Sequence, residues 1–247
     1  MRPLLFSCWW HAQFSRLAPV LEYSARVHCP DWDIRIEKLG RPQGLTSAMG
    51  VSAHEDNTHK LDRWRRVVDE APDGTPILLI DTDTVILRPL DDVWKSSFDV
   101  AYTDKPAGSR FPLNGGVMFL RANLQSRAFV GRWADQNRTF LSDRSYKTSS
   151  VRRTFGGINQ AALGSILREN ERGGSRVSVL ALSCAEWNCE DETWEKFGPQ
   201  TRILHVKSGL RREILKLQGP RPKFAHRAAV DAWKRMASAV PQEGLAS

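Results

Sequence analysis

The sequence predicts an α/β fold: one domain with a mixed, mostly parallel sheet flanked by helices. Three observations carry this. Apolar runs of strand length alternate with stretches of helical periodicity along most of the chain. The run from residue 76 to 80, Pro-Ile-Leu-Leu-Ile, is continuously apolar, as a strand covered on both faces must be. The 247 residues, 41% of them hydrophobic, suit one sizeable core better than two small ones.

The elements follow in order. Residues 3–10 are apolar and aromatic and read as a buried first strand. Phe14, Leu17, Val20, Leu21 and Val27 recur at helical spacing over 13–28, and Pro30 stops that helix. Residues 33–39 alternate as a second strand. Residues 40–56, rich in Gly, Pro and Ser, read as a loop. A helix is expected from Asn57 or Thr58, both good caps, with Leu61, Trp64, Val67, Val68 and Ala71 on one face. It ends before Pro72-Asp73-Gly74, and the 76–80 strand follows, extended or restarted by residues 85–87.

Residues 98–102 and 115–120 are further strands, and Phe129, Trp133, Gln136 and Phe140 mark a helix over 126–141. Residues 142–156 are polar and basic and read as a mobile loop, a lid expected to order on ligand. A helix over 158–167, strands at 177–182 and 202–206, and a last helix lined by Val230, Trp233 and Met236 or Ala237 complete the pattern. The expected organisation is a catalytic body over 1–220 and a C-terminal helix and tail over 221–247.

Composition narrows the function class. The chain carries a net charge of +8, which favours phosphate-bearing or other anionic ligands without choosing among them. No RNA-recognition, helix-turn-helix or zinc-finger signature accompanies that charge, so nucleic acid is not an expected partner. The spacing of Cys184 and Cys189 does not match a zinc ribbon, and reduced structural thiols are expected for all four cysteines. No run of apolar residues reads as a signal peptide or a membrane span. The expectation is therefore a cytoplasmic protein. Membrane contact, if made, would be peripheral, through the basic amphipathic segment from Arg221 to Val240. The alternative for that segment is a helix packed on the sheet.

The chemistry concentrates where the 76–80 strand runs into Asp81-Thr82-Asp83-Thr84. Carboxylates at i and i+2 of an extended chain point to one side and can converge on a hard cation. Two acids beside four consecutive aliphatics are costly unless something compensates them. Strand ends are also where open α/β sheets place their ligands.

This segment resembles the Asp-x-Asp motif of GT-A glycosyltransferases, especially the family 8 group and its relatives. Further pieces fall in that family's order over roughly residues 3–210. Residues 98–104 resemble the strand that ends in a donor-contacting acid, here Asp104. Asn114-Gly115-Gly116-Val117 resembles the family's Asn-[Ser/Ala]-Gly-Val segment. Gly157-Ile158-Asn159-Gln160 resembles its Asp-Gln helix start, with Asn159 in place of the usual acid. His205-Val206-Lys207 resembles the late histidine motif that completes the metal site, although Arg211-Arg212 stand where Lys-Pro-Trp often follows.

The resemblance implies a GT-A, Rossmann-like fold and transfer of a sugar from a nucleotide-sugar donor, UDP-linked by preference. The acceptor would be a sugar, a lipid-linked molecule or a protein. It implies Mn²⁺, or Mg²⁺, on Asp81, Asp83 and His205, and a nitrogen ligand among oxygens favours Mn²⁺ over Ca²⁺. Donor contacts would come from Lys60, Asp81, Thr82, Asp104, Asn114, Gly115 and Lys207, with Gln160 and Asn159 at the reacting carbon. One alternative is a haloacid dehalogenase-type phosphohydrolase using Asp81 as nucleophile, though no later strand ends in the paired acids that such an enzyme needs. A nucleotidyltransferase would need a glycine-rich loop after the first strand, and residues 7–16 hold no glycine. A non-catalytic sugar-binding protein on the same fold is the remaining alternative.

Overall fold

Leu5, Leu78, Ile80, Val117 and Phe119 look to one side of a sheet, while Leu4, Phe6, Ile77, Leu79 and Met118 look to the other. This period-two division is the physical origin of the architecture, because each strand must bury both faces. The computed structural model describes residues 1–41, 43–174, 176–216 and 227–241. The chain runs β1 (Leu4–Trp9), α1 (Ala18–His28), β2 (Asp33–Lys38), α2 (Ser52–Glu70), β3 (Pro76–Ile80), β4 (Thr84–Ile86), β5 (Val100–Asp104), β6 (Leu113–Arg121), α3 (Leu124–Ser142), α4 (Ser150–Phe155), α5 (Ile158–Glu169), β7 (Val179–Ser183), α6 (Cys184–Trp187), β8 (Ile203–His205), α7 (Ser208–Leu215) and α8 (Arg227–Ala239).

Six strands form the main sheet in the order β2-β1-β3-β6-β5-β7. Neighbours are parallel except where β6 runs against β3 and β5, so a single strand is reversed. One face is covered by α2, α3 and α5, whose Leu61, Trp64, Phe129, Trp133 and Leu163 fill the larger core. The other is covered by α1 and α6 through Leu21, Ala25 and Trp187. The four residues Ile77–Leu78–Leu79–Ile80 are fully buried, each side chain worth about 1.5–3 kcal/mol of transfer free energy. That anchors the end of β3, from which the acidic turn projects.

A small second sheet pairs β4 with β8 antiparallel, so residues 85–87 restart a strand rather than prolong β3. Beneath it lies a third apolar cluster, in which Leu17, just before α1, and Val20 of α1 join Leu204, Leu210, Ala229, Val230 and Trp233. The apolar face of α8 is thus spent on the protein core, as the packed-helix alternative requires. Arg221 and Lys223 of the expected membrane-facing segment, and the expected boundary between 220 and 221, lie outside the described residues.

Two expectations need correction. First, α2 begins at Ser52, not at Asn57 or Thr58. The side chains of Asn57 and Thr58 bond back to the carbonyls of Ala53 and His54 inside the helix, and Glu55 ties its first turn to the Ser47 N–H. Second, residues 142–156 are folded as a 3₁₀ turn, Arg144–Thr148, followed by α4. Asp143 and Ser149 cap the two turns, Tyr146 and Phe155 are buried in the main core, and the Tyr146 hydroxyl donates to the Gly156 carbonyl. Two aromatic anchors fourteen residues or fewer from the end of α3 outweigh the polar average of the segment.

Candidate active site

The acidic turn is built by its neighbours. The Asp81 N–H donates to the Gly116 carbonyl at 2.8 Å, continuing the β3–β6 ladder one step past the strand. The chain then turns, and the Thr84 hydroxyl closes the turn on the Asp81 carbonyl at 2.7 Å. The two carboxylates therefore converge across a turn and not along an extended strand, as the i, i+2 argument had it. Thr82 points the opposite way: its hydroxyl donates to the Cys8 carbonyl and shares a hydrogen bond with Ser7. Thr82 lines the cleft, but its hydroxyl is bonded toward the end of β1.

The β4–β8 ribbon brings in the histidine. Thr84 pairs with His205, and the Val206 N–H donates to the Asp83 carbonyl at 2.6 Å. As a result one oxygen each of Asp81 and Asp83 and one His205 nitrogen lie within 4.8 Å of one another. His205 Nε2 stands 3.3 Å from Asp83 Oδ1 and 3.8 Å from Asp81 Oδ2. The ring is held from behind by Asn188, whose Nδ2 donates to Thr103 Oγ1 at 2.8 Å. Asn188 Oδ1 therefore accepts from His205 Nδ1 at 2.9 Å, which leaves Nε2 as the atom turned to the carboxylates. Cys184, whose thiol donates to the Asn188 carbonyl, fixes the same corner. All four cysteines are free and buried.

Charge is balanced tightly around this triad. Lys60 is buried on α2 against the Trp64 ring, and its Nζ meets Asp81 Oδ1 at 2.5 Å. Arg211 Nη1 meets Asp83 Oδ2 at 3.0 Å. Burial by itself would raise the Asp83 carboxyl. The His205 ring and the Arg211 guanidinium override that effect and bring it down to about 2. Lys207 is not on the strand with His205; it precedes α7, and its Nζ meets Glu190 Oε2 at 3.1 Å. Glu190 also holds Lys105 at 2.6 Å, with both side chains essentially buried. Burial opposes the Lys207 charge, but Glu190 and Asp191 raise its pKa above the ordinary lysine value.

These groups wall a cavity of about 450 Å³ at the edge where β1 and β3 end and β6 begins. That volume lies in the range of small-ligand sites. Asn114, Gly115, Gly116, Asn159 and Gln160 line it with the triad, Lys60, Lys207 and Arg211. Asn114 Oδ1 accepts from the Gly116 N–H, and its Nδ2 is buried without a partner. Asn159 sits one residue inside the start of α5, where Gly157 and not Asn159 holds the cap position, and its Oδ1 is likewise unpartnered. Gln160 donates from Nε2 to the Leu113 carbonyl.

The two glycines differ. A side chain at Gly116 would start 2.6 Å from Asp81 Oδ2 and 2.7 Å from the His205 ring, so the triad requires glycine there. The missing side chain of Gly115 faces Trp133 and Leu163 in the core instead. Asp104 is exposed at the end of β5 and does not line the cleft.

Several residues of the site carried no sequence signal. Trp10 and His11 at the end of β1 both hydrogen-bond Asp56, at 3.0 and 2.9 Å, and with Trp9 and Phe14 form an aromatic wall. Asp56 escaped notice because the start of α2 did. Asn188 and Arg211 lie far from the acidic turn in sequence, and pairing by the β4–β8 ribbon is what brings them near. The donor set fits a divalent cation: two carboxylates and an imidazole, mutually close and partly desolvated, with Gly116 leaving the space open.

A family model described as nucleotide-diphospho-sugar transferase matches residues 62–212. Comparison with curated protein sequences finds no match. Among solved structures, a glycosyltransferase involved in glycosylating the major capsid protein of PBCV-1 superposes with a TM-score of 0.62 at 10% identity, covering 88% of this chain and all of that one. The Streptococcus pneumoniae TIGR4 glycosyltransferase GlyE gives 0.57 at 13% identity over 99% of this chain, which spans 63% of GlyE. The galactosyltransferase LgtC, solved with donor and acceptor sugar analogs, gives 0.53 at 12% identity over 97% of this chain and 98% of its own. The expected GT-A architecture is the one observed.

Proposed function

The chain belongs to the nucleotide-diphospho-sugar transferase family, and from that premise we propose that it transfers a sugar from a UDP-sugar donor, with Mn²⁺ held by Asp81, Asp83 and His205. The observation that carries this reading is the convergence of those three side chains within 4.8 Å, in a cavity that also holds two unpartnered amide groups. A cation there supplies Lewis-acid stabilisation of the charge that grows on a departing nucleoside diphosphate.

The protein's own residues account for the rest. Lys60, Lys207 and Arg211 put three positive charges on the cleft wall, where they favour a diphosphate in a partly desolvated setting. Asn114 Nδ2 and Asn159 Oδ1, one donor and one acceptor, suit the hydroxyls of a sugar. The rings of Trp9, Trp10, His11 and Phe14 offer aromatic faces against which a nucleobase can pack. Gln160, whose Nε2 donates to the Leu113 carbonyl, would use its amide oxygen to steady charge at the reacting carbon. Because the Thr82 hydroxyl is bonded to the Cys8 carbonyl and to Ser7, Thr82 would meet the donor through its backbone, and Asp104, outside the cleft lining, has no role in this reading. The phosphohydrolase alternative loses its footing with the family assignment.

The test is donor hydrolysis and sugar transfer measured with UDP-sugars, with and without Mn²⁺. Asp81→Ala and Asp83→Ala should each reduce turnover by orders of magnitude. Near wild-type turnover in either variant, or unchanged turnover after chelation, would sink the reading.

A further inference from the structure

A second cavity, of about 410 Å³, lies beside the cleft, and Gly157 lines both. Its walls are His54, Arg110, Phe111, Lys147, Arg152 and Arg153. Elsewhere Arg63 meets Glu37, Arg127 meets Asp73, Arg138 meets Asp62 and Arg202 meets Glu186, while others, such as Arg16 and Arg121, meet backbone carbonyls. Among the described residues, Arg110, Lys147, Arg152 and Arg153 meet none. Instead they are braced. Arg152 donates one guanidinium N–H to the Lys147 carbonyl at 2.7 Å, Arg153 one to the Thr148 carbonyl at 2.6 Å, and Arg110 lies over the Phe111 ring at 5.0 Å. The bracing holds the side chains while leaving their other donors free. Glu55, the nearest acid in sequence to His54, is committed to the Ser47 N–H. The local field is felt at His54, whose pKa is pushed down by burial and then by Arg152, with Glu55 opposing them.

Four uncompensated cations around one concavity attract an anion, and their number selects its class. A lone carboxylate would leave most of the charge unanswered. A phosphate or diphosphate offers several oxygens to planar guanidinium forks. We propose that this cavity binds the phosphate of a phosphate-bearing acceptor, whose hydroxyl is then presented past Gly157 to the donor cleft. The word acceptor rests on the sugar-transfer reading above; the anion site does not.

Glycerol 3-phosphate, a weak chelator, is titrated calorimetrically into the full chain after saturation with UDP and Mn²⁺. Saturable binding is expected, weakened at least tenfold in Arg152→Ala/Arg153→Ala, with UDP affinity and melting temperature unchanged. Arg110→Ala/Lys147→Ala should show the same loss and serves as the second variant if the first is unstable. Vesicles of phosphatidylcholine with and without phosphatidic acid distinguish the source. Retention by the acidic vesicles, reversed by glycerol 3-phosphate, marks a lipid-borne phosphate, and its absence beside glycerol 3-phosphate binding marks a soluble one. No saturable binding to the wild type, or equal affinity in both double variants, overturns the proposal. Failure of the sugar-transfer reading shows separately, as absence of UDP–Mn²⁺ binding before any phosphate is added.

Discussion

At the residue scale, Asn188 and Gly116 make the sharpest claims. Asn188 can turn His205 Nε2 toward the carboxylates because its own Nδ2 is already spent on Thr103. Asn188→Ala should weaken Mn²⁺ binding by roughly tenfold or more, the loss typical of groups that orient metal ligands. His205→Ala should weaken it by roughly 10- to 100-fold, judged from the same class of residues, and leave the melting temperature without metal nearly unchanged. Mn²⁺ titrations of the three proteins check both, and unaltered affinity in His205→Ala would make the histidine structural. Gly116→Ala places a methyl group 2.6 Å from an Asp81 oxygen, so loss of Mn²⁺ binding is expected, with a folded sheet still visible by circular dichroism.

At the scale of elements, the segment from α6 to β8 is a scaffold for charge. Glu190 lies between Lys105 and Lys207, and the Lys105–Glu190 pair is buried on both sides. Removing Glu190 leaves Lys105 only the partly exposed Glu192, at 3.3 Å, so the cost approaches the roughly 3–5 kcal/mol of a broken buried pair. Glu190→Ala should therefore lower the denaturation midpoint sharply, and Lys207→Ala much less, because Lys207 is a third exposed. Equal losses would show that the pair does not act as a buried unit. The helical segment after α3 carries a similar claim. Phe155→Ala should cost about 3–5 kcal/mol, since its ring is buried against the core of α5. A loop free to open would register little.

At the scale of the whole molecule, α8 closes the third apolar cluster. No helix among the described residues is long and apolar enough to cross a membrane. The α8 face that would have lain on one instead covers Leu17, Val20 and Leu210. Trp233→Ala should destabilise the entire domain by about 3–5 kcal/mol in chemical denaturation, as loss of a buried aromatic does. A variant with native stability would return that face to the list of free surfaces.

The linear sequence by itself determined the strand–helix alternation, the burial of β3 and the presence of paired acids at its end, because period and apolarity are local properties. The paired acids Asp81 and Asp83 were legible beside that strand, whereas Asn114, Gln160 and His205 stood out only through the family resemblance of their motifs. Tertiary structure alone decided the rest. Whether Asp81 and Asp83 meet along a strand or across a turn depends on the Gly116 and Val206 backbone bonds, which join distant segments. Whether Lys60 is a solvated helix residue or the partner of Asp81 depends on how α2 packs against the end of β3. Thr82 and Asp104 resemble contacts in sequence, yet one hydroxyl is taken by β1 and the other side chain faces solvent. Periodicity reports which face a side chain takes; only packing between elements reports what stands opposite it.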